Sequence, residues 1–515
     1  MLAKCYSGAI SGVDANAVEI EVSAYVAQEP SFRIVGLPDV AVREARDRVL
    51  NAIKSSGYKL KYSQNVTVNL APADVRKEGP IYDLPIAVCL VKAMGMLATE
   101  RLADYALVGE LALAGEVRRI RGVIPIALAM KRLGKKALLV PRENAAEASI
   151  VGGIDIIPVS SLREAAAFLA GEVHIDSVFT DLAALAETPG ARGDDFADVK
   201  GQETVRRAVE VAVAGGHNIL MIGSPGSGKT MIARRIPSIL PPMTADEILE
   251  TSKIHSVASA SKGGGVFITK RPFRAPHHTV STYGLLGGGT HPFPGEVSLA
   301  HRGVLFLDEF AEFPRQALEV LRQPLEDGHV VVSRAAAACD FPSRFMLVAA
   351  MNPCPCGYYN DPTHECRRAT SQIYRYQHRI SGPLLDRIDI QIGVCPVKAR
   401  ELDSLSNGES SAAMRERIVA ARERQKERYK DLDVLTNAEV KGRDLVDACR
   451  LTAEGRDEVR RTIEALKLSA RAYDRILRVS RTIADLAGRD AVSQADVFEA
   501  ASYRRLDAQE DSYWV

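Results

Sequence analysis

Apolar and polar residues follow two different periods in the N-terminal part of the chain. Residues 17–26 and 65–70 alternate between apolar and polar positions, which predicts two half-buried strands. Between them, residues 40–56 place apolar side chains at helical spacing and stop at Gly57, which predicts a helix. The same patterns predict a helix over 85–95 and strands over 106–111 and 137–140. This part of the chain is therefore expected to be mixed α and β.

Further along, short and almost wholly apolar runs alternate with helical patterns. The runs at 218–222, 304–307 and 345–350 have the composition of central strands in a parallel sheet, where both faces are covered. From about residue 400 the pattern is helical and rich in Arg, Lys and Glu. We therefore predict an α/β protein with an α+β domain at 1–178, a linker at 179–194, a parallel-sheet core at 195–395 and an α-helical lid at 396–515.

The composition excludes several classes of protein. The 515 residues carry 66 Lys and Arg against 65 Asp and Glu, so a strongly basic coat is excluded, although local basic patches for nucleic acid are not. No apolar run is long enough to cross a membrane, and the start lacks the pattern of a secretory signal. Five of the eight cysteines are scattered, which is typical of reduced thiols. We expect a cytoplasmic protein without a membrane partner.

The strongest chemical motif is a glycine-rich segment directly after the apolar run at 218–222. Its spacing, GxxxxGK[ST], between a predicted strand and a predicted helix is that of a phosphate-binding loop. The glycines let backbone N–H groups face the phosphates of ATP, Lys229 reaches the β- and γ-phosphates, and the Thr230 hydroxyl binds Mg²⁺. The candidate ATP and Mg²⁺ ligands here are Gly223, Ser224, Pro225, Gly226, Ser227, Gly228, Lys229 and Thr230.

An acidic pair ends the second apolar run. Asp308 is a candidate Mg²⁺ ligand, and Glu309 is a candidate base that orients and activates the attacking water. Alone, such a pair is as often a solvated strand end. Together with the upstream phosphate-binding loop it predicts ATP hydrolysis.

These motifs, together with residues 195–202 (DFADVKGQ), resemble an AAA+ ATPase module. Three further segments resemble the magnesium-chelatase-like branch of AAA+ proteins, and two N-terminal segments resemble its YifB/ComM family. The segments are 271–279 (RPFRAPHHT), 305–310 (LFLDEF), 381–389 (SGPLLDRID), 34–38 (IVGLP) and 69–79 (NLAPADVRKEG). The resemblance implies a ring-forming homo-oligomer, expected to be hexameric, that moves on single-stranded or branched DNA and drives branch migration during natural transformation.

The resemblance also implies roles for three residues outside the motifs above. Asn352 matches a sensor that helps to hold the attacking water, and Arg387 matches an arginine finger that reaches the nucleotide of a neighbouring subunit. Arg471 matches a second sensor on the helical lid. From the residues alone, Arg387 between two aspartates is better explained as a surface ion pair, and Arg471 can likewise belong to a solvated helix face.

A compact group of soft ligands follows the third apolar run. Cys354, Cys356, His364 and Cys366 can complete a tetrahedral structural zinc site. The related proteins have a second cysteine pair here, but Arg368 stands in place of the fourth cysteine, so His364 is the candidate substitute. The alternative is a set of reduced, metal-free thiols.

Candidate DNA contacts lie in two predicted loops. Arg274, His277 and His278 belong to an extended segment that can follow a phosphate backbone, and Arg334 lies near the tip of a predicted hairpin. Ordinary loop packing is an equally good explanation for the histidines.

The N-terminal domain resembles the proteolytic domain of Lon-type proteases, a ribosomal-protein-S5-like fold. Residues 77–80 (KEGP) match the segment before the Lon nucleophile, but Ile81, Tyr82 and Asp83 follow, and 121–126 (RGVIPI) lacks the partner lysine. We therefore expect a binding or assembly platform without peptidase activity. The prediction for the whole chain is an ATP-driven DNA motor, the alternative being an ATPase that remodels a protein partner, as in magnesium chelatase.

Overall fold

The computed structural model describes ten stretches of the chain. They are residues 1–59, 64–182, 184, 194–258, 267–289, 292–333, 338–361, 364–396, 408–466 and 470–504.

A seven-stranded mixed sheet organises the N-terminal part. The strands of this part are β1 (Leu2–Ser11), β2 (Asp14–Val26), β3 (Ser31–Val35), β4 (Gln64–Ala71), β5 (Tyr105–Leu107), β6 (Glu110–Leu111), β7 (Val117–Arg118), β8 (Ala137–Pro141) and β9 (Asp155–Val159). The order in the sheet is β3-β4-β2-β1-β5-β8-β9, and β6 pairs separately with β7. Strand β2 is antiparallel to both β1 and β4, whereas the other neighbours are parallel.

Six helices accompany this sheet within residues 1–59 and 64–182. They are α1 (Val40–Arg43), α2 (Ala45–Ser55), α3 (Asp83–Ala93), α4 (Val123–Arg132), α5 (Ala145–Ala148) and α6 (Leu162–Ala170). The alternating patterns are confirmed as β2 and β4, and the helix expected at 40–56 is divided between α1 and α2. Strand β1 was not predicted, although it pairs with β2 along its whole length.

A second sheet, of five parallel strands, lies in the middle of the chain, together with two small two-stranded sheets. The strands here are β10 (Ile219–Ile222), β11 (Phe273–Arg274), β12 (Gly287–Gly288), β13 (Phe293–Pro294), β14 (Val304–Leu307), β15 (His329–Ser333), β16 (Ala338–Pro342), β17 (Met346–Met351) and β18 (Ile390–Gly393). The five-stranded order is β11-β14-β17-β10-β18. Every residue of β10, β14 and β17 is buried, which confirms the predicted central strands.

Within the described residues between 194 and 396, nine helices accompany the parallel sheet. They are α7 (Glu203–Gly215), α8 (Lys229–Ile239), α9 (Ala245–Ala258), α10 (Thr282–Leu286), α11 (Glu296–Leu299), α12 (Arg315–Glu319), α13 (Arg322–Asp327), α14 (Thr370–Gln377) and α15 (Gly382–Leu385).

The C-terminal part is helical in all its regular structure within residues 408–466 and 470–504, as predicted. Its helices are α16 (Ser411–Arg428), α17 (Gly442–Cys449), α18 (Ala453–Leu466), α19 (Ala470–Leu486) and α20 (Gln494–Ser502). Helix α19 is central, because it packs against α7, α16, α17 and α20. Within the described parts of the chain, no helix is both long enough and apolar enough to span a membrane.

The N-terminal part is attached to the middle part through α9. The N–H of Gly122 donates to the carbonyl oxygen of Ser256 at 3.0 Å, and Lys253 Nζ pairs with Asp14 at 2.6 Å. Leu249, also in α9, packs on the hydrophobic core of the N-terminal sheet. The two parts therefore share an interface in addition to their connection along the chain.

Candidate functional site

The loop between β10 and α8 has a backbone that only glycine accommodates. Gly226 and Gly228 have φ angles of +78° and +93°, in the left-handed region. A Cβ on Gly223 would lie 2.2 Å from the carbonyl oxygen of Val394, so a side chain there would collide with the backbone. The predicted phosphate-binding loop, residues 223–230, thus curls tightly at the N-terminus of a helix, where anions bind.

The ammonium group of Lys229 lies inside this loop. Its Nζ donates to the carbonyl oxygens of Gly223 and Ser224 at 2.7 and 3.0 Å and lies 3.3 Å from Asn352 Oδ1. Burial lowers the pKa of Lys229 to about 8, because the charged form is poorly solvated there. The structure therefore brings the predicted lysine and the predicted sensor asparagine together.

The acidic pair reaches the loop from β14. The hydroxyl of Thr230 donates to Asp308 Oδ2 at 2.7 Å, so the two predicted Mg²⁺ ligands are in direct contact. A hydroxyl and a carboxylate oxygen at this separation are suitable ligands for a hard cation such as Mg²⁺. The order of the parallel strands explains the contact between Thr230 and Asp308. Strands β10 and β14 lie on either side of β17 and end at the same edge of the sheet.

Glu309 is in contact with His278, a residue predicted from the sequence to contact DNA. Its backbone is left-handed, with φ of +52°, and its carboxylate Oε2 lies 2.9 Å from His278 Nδ1. The His278 ring lies beside that of His277, tilted by 34° with centroids 4.1 Å apart, and meets Phe313 edge-on at 6.4 Å. The strand β11, which precedes this segment, lies beside β14, so the histidine arrives at the same sheet edge as the acidic pair.

Two further contacts of the loop were missed from the sequence. Gln202 Nε2 donates to the carbonyl oxygen of Ser227 at 2.8 Å, which ties the segment 195–202 to the loop. The backbone of Gly357 packs on Pro225, since a Cβ at position 357 would lie 2.5 Å from the proline ring. For the contact between Gly357 and Pro225, the sequence offered one signal, a glycine directly after Cys356. A glycine alone does not identify the residue on which it packs.

The two arginines that the resemblance assigned to the nucleotide lie elsewhere. Arg387 pairs with Glu326 and donates to the carbonyl oxygen of Pro383 at 2.6 Å. Arg387 and Arg471 both line one cavity of about 450 Å³. The cavity wall includes residues at the amino ends of four strands, namely Asn218, Gly303, Met346 and Asp389.

The position of this cavity corrects one expectation. The phosphate-binding loop follows the carboxyl end of β10, whereas the cavity lies at the amino ends of the strands. Arg471 is therefore not brought to the nucleotide loop of its own chain, because it lies beside the amino ends of the strands and the loop follows a carboxyl end. The alternative interpretation of Arg387 as an ion-paired residue fits the structure, but its partner is Glu326 and not one of the neighbouring aspartates.

The three cysteines of the candidate zinc site converge, but His364 does not join them. The Sγ atoms of Cys354, Cys356 and Cys366 lie within 4.8 Å of one another. The His364 ring lies beside that of Tyr358, tilted by 30° with centroids 4.6 Å apart, and the His364 side chain is 62% exposed. The prediction that His364 supplies the fourth ligand is thus wrong for this arrangement, in which its imidazole lies beside the Tyr358 ring and is not among the ligand atoms that converge with the three sulfurs.

The remaining DNA-contact candidates have intramolecular partners or lie outside the described residues. Arg274 makes two hydrogen bonds to the Glu296 carboxylate, at 2.6 and 2.7 Å, and is only partly exposed. His277 Nδ1 lies 2.9 Å from the Thr279 hydroxyl. Arg334 falls outside the described residues.

The segment that resembles the Lon nucleophile region is buried in the N-terminal part. Ile81, Tyr82 and Asp83 are all buried, and Arg48 Nε lies 2.7 Å from Asp83 Oδ2. Burial raises the pKa of Asp83 to about 6, although the Arg48 guanidinium opposes that shift. A buried, ion-paired segment without a serine cannot supply the hydroxyl nucleophile of a serine–lysine peptidase.

Comparison with known proteins covers almost the whole chain. Residues 195–402 match the family "Magnesium chelatase, subunit ChlI", 18–144 match "Subunit ChlI of Mg-chelatase" and 408–504 match "Magnesium chelatase, subunit ChlI C-terminal". The chain is 43% identical over 507 residues to YifB of Salmonella typhimurium, covering 98% of this chain and 97% of that one. It is 42% identical over 508 residues to the competence protein ComM of Haemophilus influenzae, covering 98% of each chain. A weaker similarity, 28% over 163 residues, joins 28% of this chain to 29% of Lon protease 2 of Bacillus subtilis.

Proposed function

This chain belongs to the YifB/ComM family of magnesium-chelatase-like AAA+ proteins, and from that membership we propose that it is an ATP-driven motor that moves on DNA. The observation that carries the proposal is the convergence of Lys229, Thr230, Asp308 and Asn352 on one phosphate-binding loop. Glu309 follows Asp308 at the same edge of the sheet.

Each side chain has a distinct task in the proposed hydrolysis of ATP. The loop N–H groups and Lys229 would bind the β- and γ-phosphates, and Thr230 with Asp308 would hold Mg²⁺. When bound, Mg²⁺ neutralises the negative charge that develops on the phosphate oxygens. Glu309 accepts a hydrogen bond from the attacking water and takes its proton, and Asn352 orients that water together with the γ-phosphate.

A ring of identical subunits is proposed from the position of the two arginines. Arg387 and Arg471 face a cavity at the end of the sheet opposite their own phosphate-binding loop. In a closed ring with head-to-tail contacts, that end of one subunit faces the nucleotide of the next, and guanidinium groups there stabilise transition-state charge. A hexamer is the number proposed from the family.

DNA is the proposed track for this motor. The support is the name of one relative, the competence protein ComM, together with 42% identity along nearly the whole chain. We propose that single-stranded or branched DNA passes through the ring and that the motor promotes branch migration of recombination intermediates during natural transformation, in the cytoplasm. The N-terminal domain, proposed to be Lon-like in fold, would serve as an assembly platform and not as a protease.

A second candidate function is remodelling of a protein partner. The matches to magnesium chelatase favour it, because they cover the ATPase core and the C-terminal helices alike.

ATP hydrolysis should be measured with single-stranded DNA, a four-way junction and no DNA, over a range of salt concentrations. A DNA motor is stimulated by DNA, and the stimulation weakens as salt rises because phosphate contacts release counterions. Equal rates with and without DNA at every salt concentration would favour protein remodelling.

A further inference from the structure

Three sulfur atoms lie close together beside the nucleotide site. The Sγ atoms of Cys354 and Cys356 are 3.3 Å apart, those of Cys356 and Cys366 are 3.4 Å apart, and those of Cys354 and Cys366 are 3.8 Å apart. Zinc bound at about 2.3 Å to sulfurs with tetrahedral angles separates those sulfurs by about 3.8 Å, whereas a disulfide needs about 2.05 Å. The spacing thus fits three thiolates around one metal ion and does not fit a disulfide.

The described parts of the chain supply three protein ligands to the cluster, all of them cysteines. Among the described residues, no His, Asp or Glu joins the three cysteines within metal-binding reach. The ring of His364 lies beside that of Tyr358, and position 368, where the resemblance implies a fourth cysteine, holds an arginine, which has no acceptor atom. Cys356 and Cys366 are only partly buried, so solvent reaches the cluster.

The cluster is joined to the nucleotide site by two contacts. Asn352, whose Oδ1 lies 3.3 Å from Lys229 Nζ, precedes Cys354 by two residues. Gly357 follows Cys356 directly, and its backbone packs on Pro225 of the phosphate-binding loop. Whatever fixes the three sulfurs therefore also fixes the sensor asparagine relative to the loop.

We propose that Cys354, Cys356 and Cys366 bind one zinc ion whose fourth ligand is an exchangeable water, and that this ion holds Asn352 and Gly357 in position for ATP binding. Structural zinc sites are closed by four protein ligands, whereas sites with three leave a position that small molecules enter. The zinc site here is consequently open to small thiols and imidazoles. The proposal does not depend on whether the motor acts on DNA or on protein.

Cobalt substitution tests the open position by a spectrum rather than by activity. The purified full chain is stripped of metal, reloaded with Co²⁺ and titrated with imidazole or 2-mercaptoethanol. The cobalt–thiolate absorption bands should shift in the wild type and should stay constant in Arg368→Cys, which supplies a fourth thiolate. Unshifted bands in the wild type, or bands altered by His364→Ala, would overturn the open site.

Metal content tests the ligands themselves. Cys366→Ser should lower bound zinc below about half an equivalent per chain, while Cys395→Ser, which alters an exposed cysteine outside the cluster, should retain the wild-type content. Wild-type protein that binds less than about half an equivalent of zinc, or equal zinc content in the two variants, would reject the site.

The link to the nucleotide is tested by binding of a fluorescent ATP analogue. Removal of zinc should raise the Kd of the wild type by about threefold or more, and readdition of zinc should restore it. Should the metal-free chain unfold at the assay temperature, 2-mercaptoethanol is instead titrated into the zinc-loaded wild type and Arg368→Cys. A change of Kd in the wild type alone supports the link, and equal responses, or an unchanged Kd, contradict it.

Discussion

The imidazole Nδ1 of His278 lies 2.9 Å from the carboxylate Oε2 of Glu309. This contact joins an extended segment, assigned from its sequence to DNA, to the residue expected to activate water. A carboxylate oxygen engaged with an imidazole is less available to a water molecule. A ligand that draws the segment away would therefore release Glu309, which offers a direct route from ligand binding to hydrolysis.

We expect His278→Ala to raise the ATPase rate without DNA by about two- to fivefold, which corresponds to the loss of a partly exposed polar contact of about 0.5–1 kcal/mol. Stimulation by DNA should fall at the same time, because Glu309 no longer needs to be released. Steady-state ATPase assays with and without single-stranded DNA measure both effects. His277→Ala is the matched control, since His277 bonds Thr279 instead of Glu309. A lower basal rate in His278→Ala would mean that the contact positions Glu309 for catalysis.

Arg387 should act on the nucleotide of a neighbouring subunit. We expect Lys229→Ala and Arg387→Ala each to lower the ATPase rate strongly, the second by about 10³-fold or more as for other arginine fingers. A mixture of the two variants should regain activity, because a Lys229→Ala subunit still presents its arginine to an intact loop next door. Arg379→Ala, which removes an exposed pair with Glu312, should resemble the wild type. A mixture no more active than its components would contradict action between subunits.

Gly357→Ala should weaken nucleotide binding by more than its effect on stability explains. Gly357 and Gly134 both have positive φ, +84° and +74°, so alanine at either position should cost about 1–2 kcal/mol of unfolding free energy. At position 357 the new Cβ would collide with Pro225, whereas at position 134 no atom lies within 4 Å of the new Cβ. We expect a Kd for ATP about tenfold higher in Gly357→Ala and unchanged in Gly134→Ala, measured beside thermal unfolding. The same Kd in both variants would show that the contact with Pro225 is unimportant.

Arg274 should contribute to stability and not to DNA binding. Because Arg274 makes two hydrogen bonds to a carboxylate, Arg274→Gln should lower the unfolding free energy by about 1.5–3 kcal/mol. The salt dependence of DNA binding should not change, whereas loss of a phosphate contact would reduce the slope by about 1. The variant Glu296→Gln should destabilise similarly. Stronger DNA binding by Glu296→Gln, with weaker binding by Arg274→Gln, would restore Arg274 as a DNA contact.

The sequence was most informative where function depends on residues that are close along the chain. Continuous apolar runs predicted β10, β14 and β17, because strands covered on both faces leave no polar positions. The spacing of Gly223, Gly228 and Lys229 likewise predicted the loop, since its shape is determined within eight residues.

Features that depend on distant packing could not be predicted in this way. Strand β11 has only two residues, so no periodicity marked it, and the approach of His278 to Glu309 follows from its pairing with β14. The position of His364 involves a neighbouring ring, Tyr358, and the end of the sheet at which Arg471 lies depends on how α19 packs. Motif spacing carries no information about such contacts.

The interface formed by α9 affects how this protein can be divided. Leu249 and Phe267 pack on the hydrophobic core of the N-terminal sheet, although both belong to the chain that follows the 179–194 segment. Proteolytic cleavage within that segment should therefore leave two fragments that copurify until denaturant is added. An ATPase fragment expressed alone would expose these apolar side chains to water and should self-associate, so its oligomers would be a poor guide to those of the intact chain.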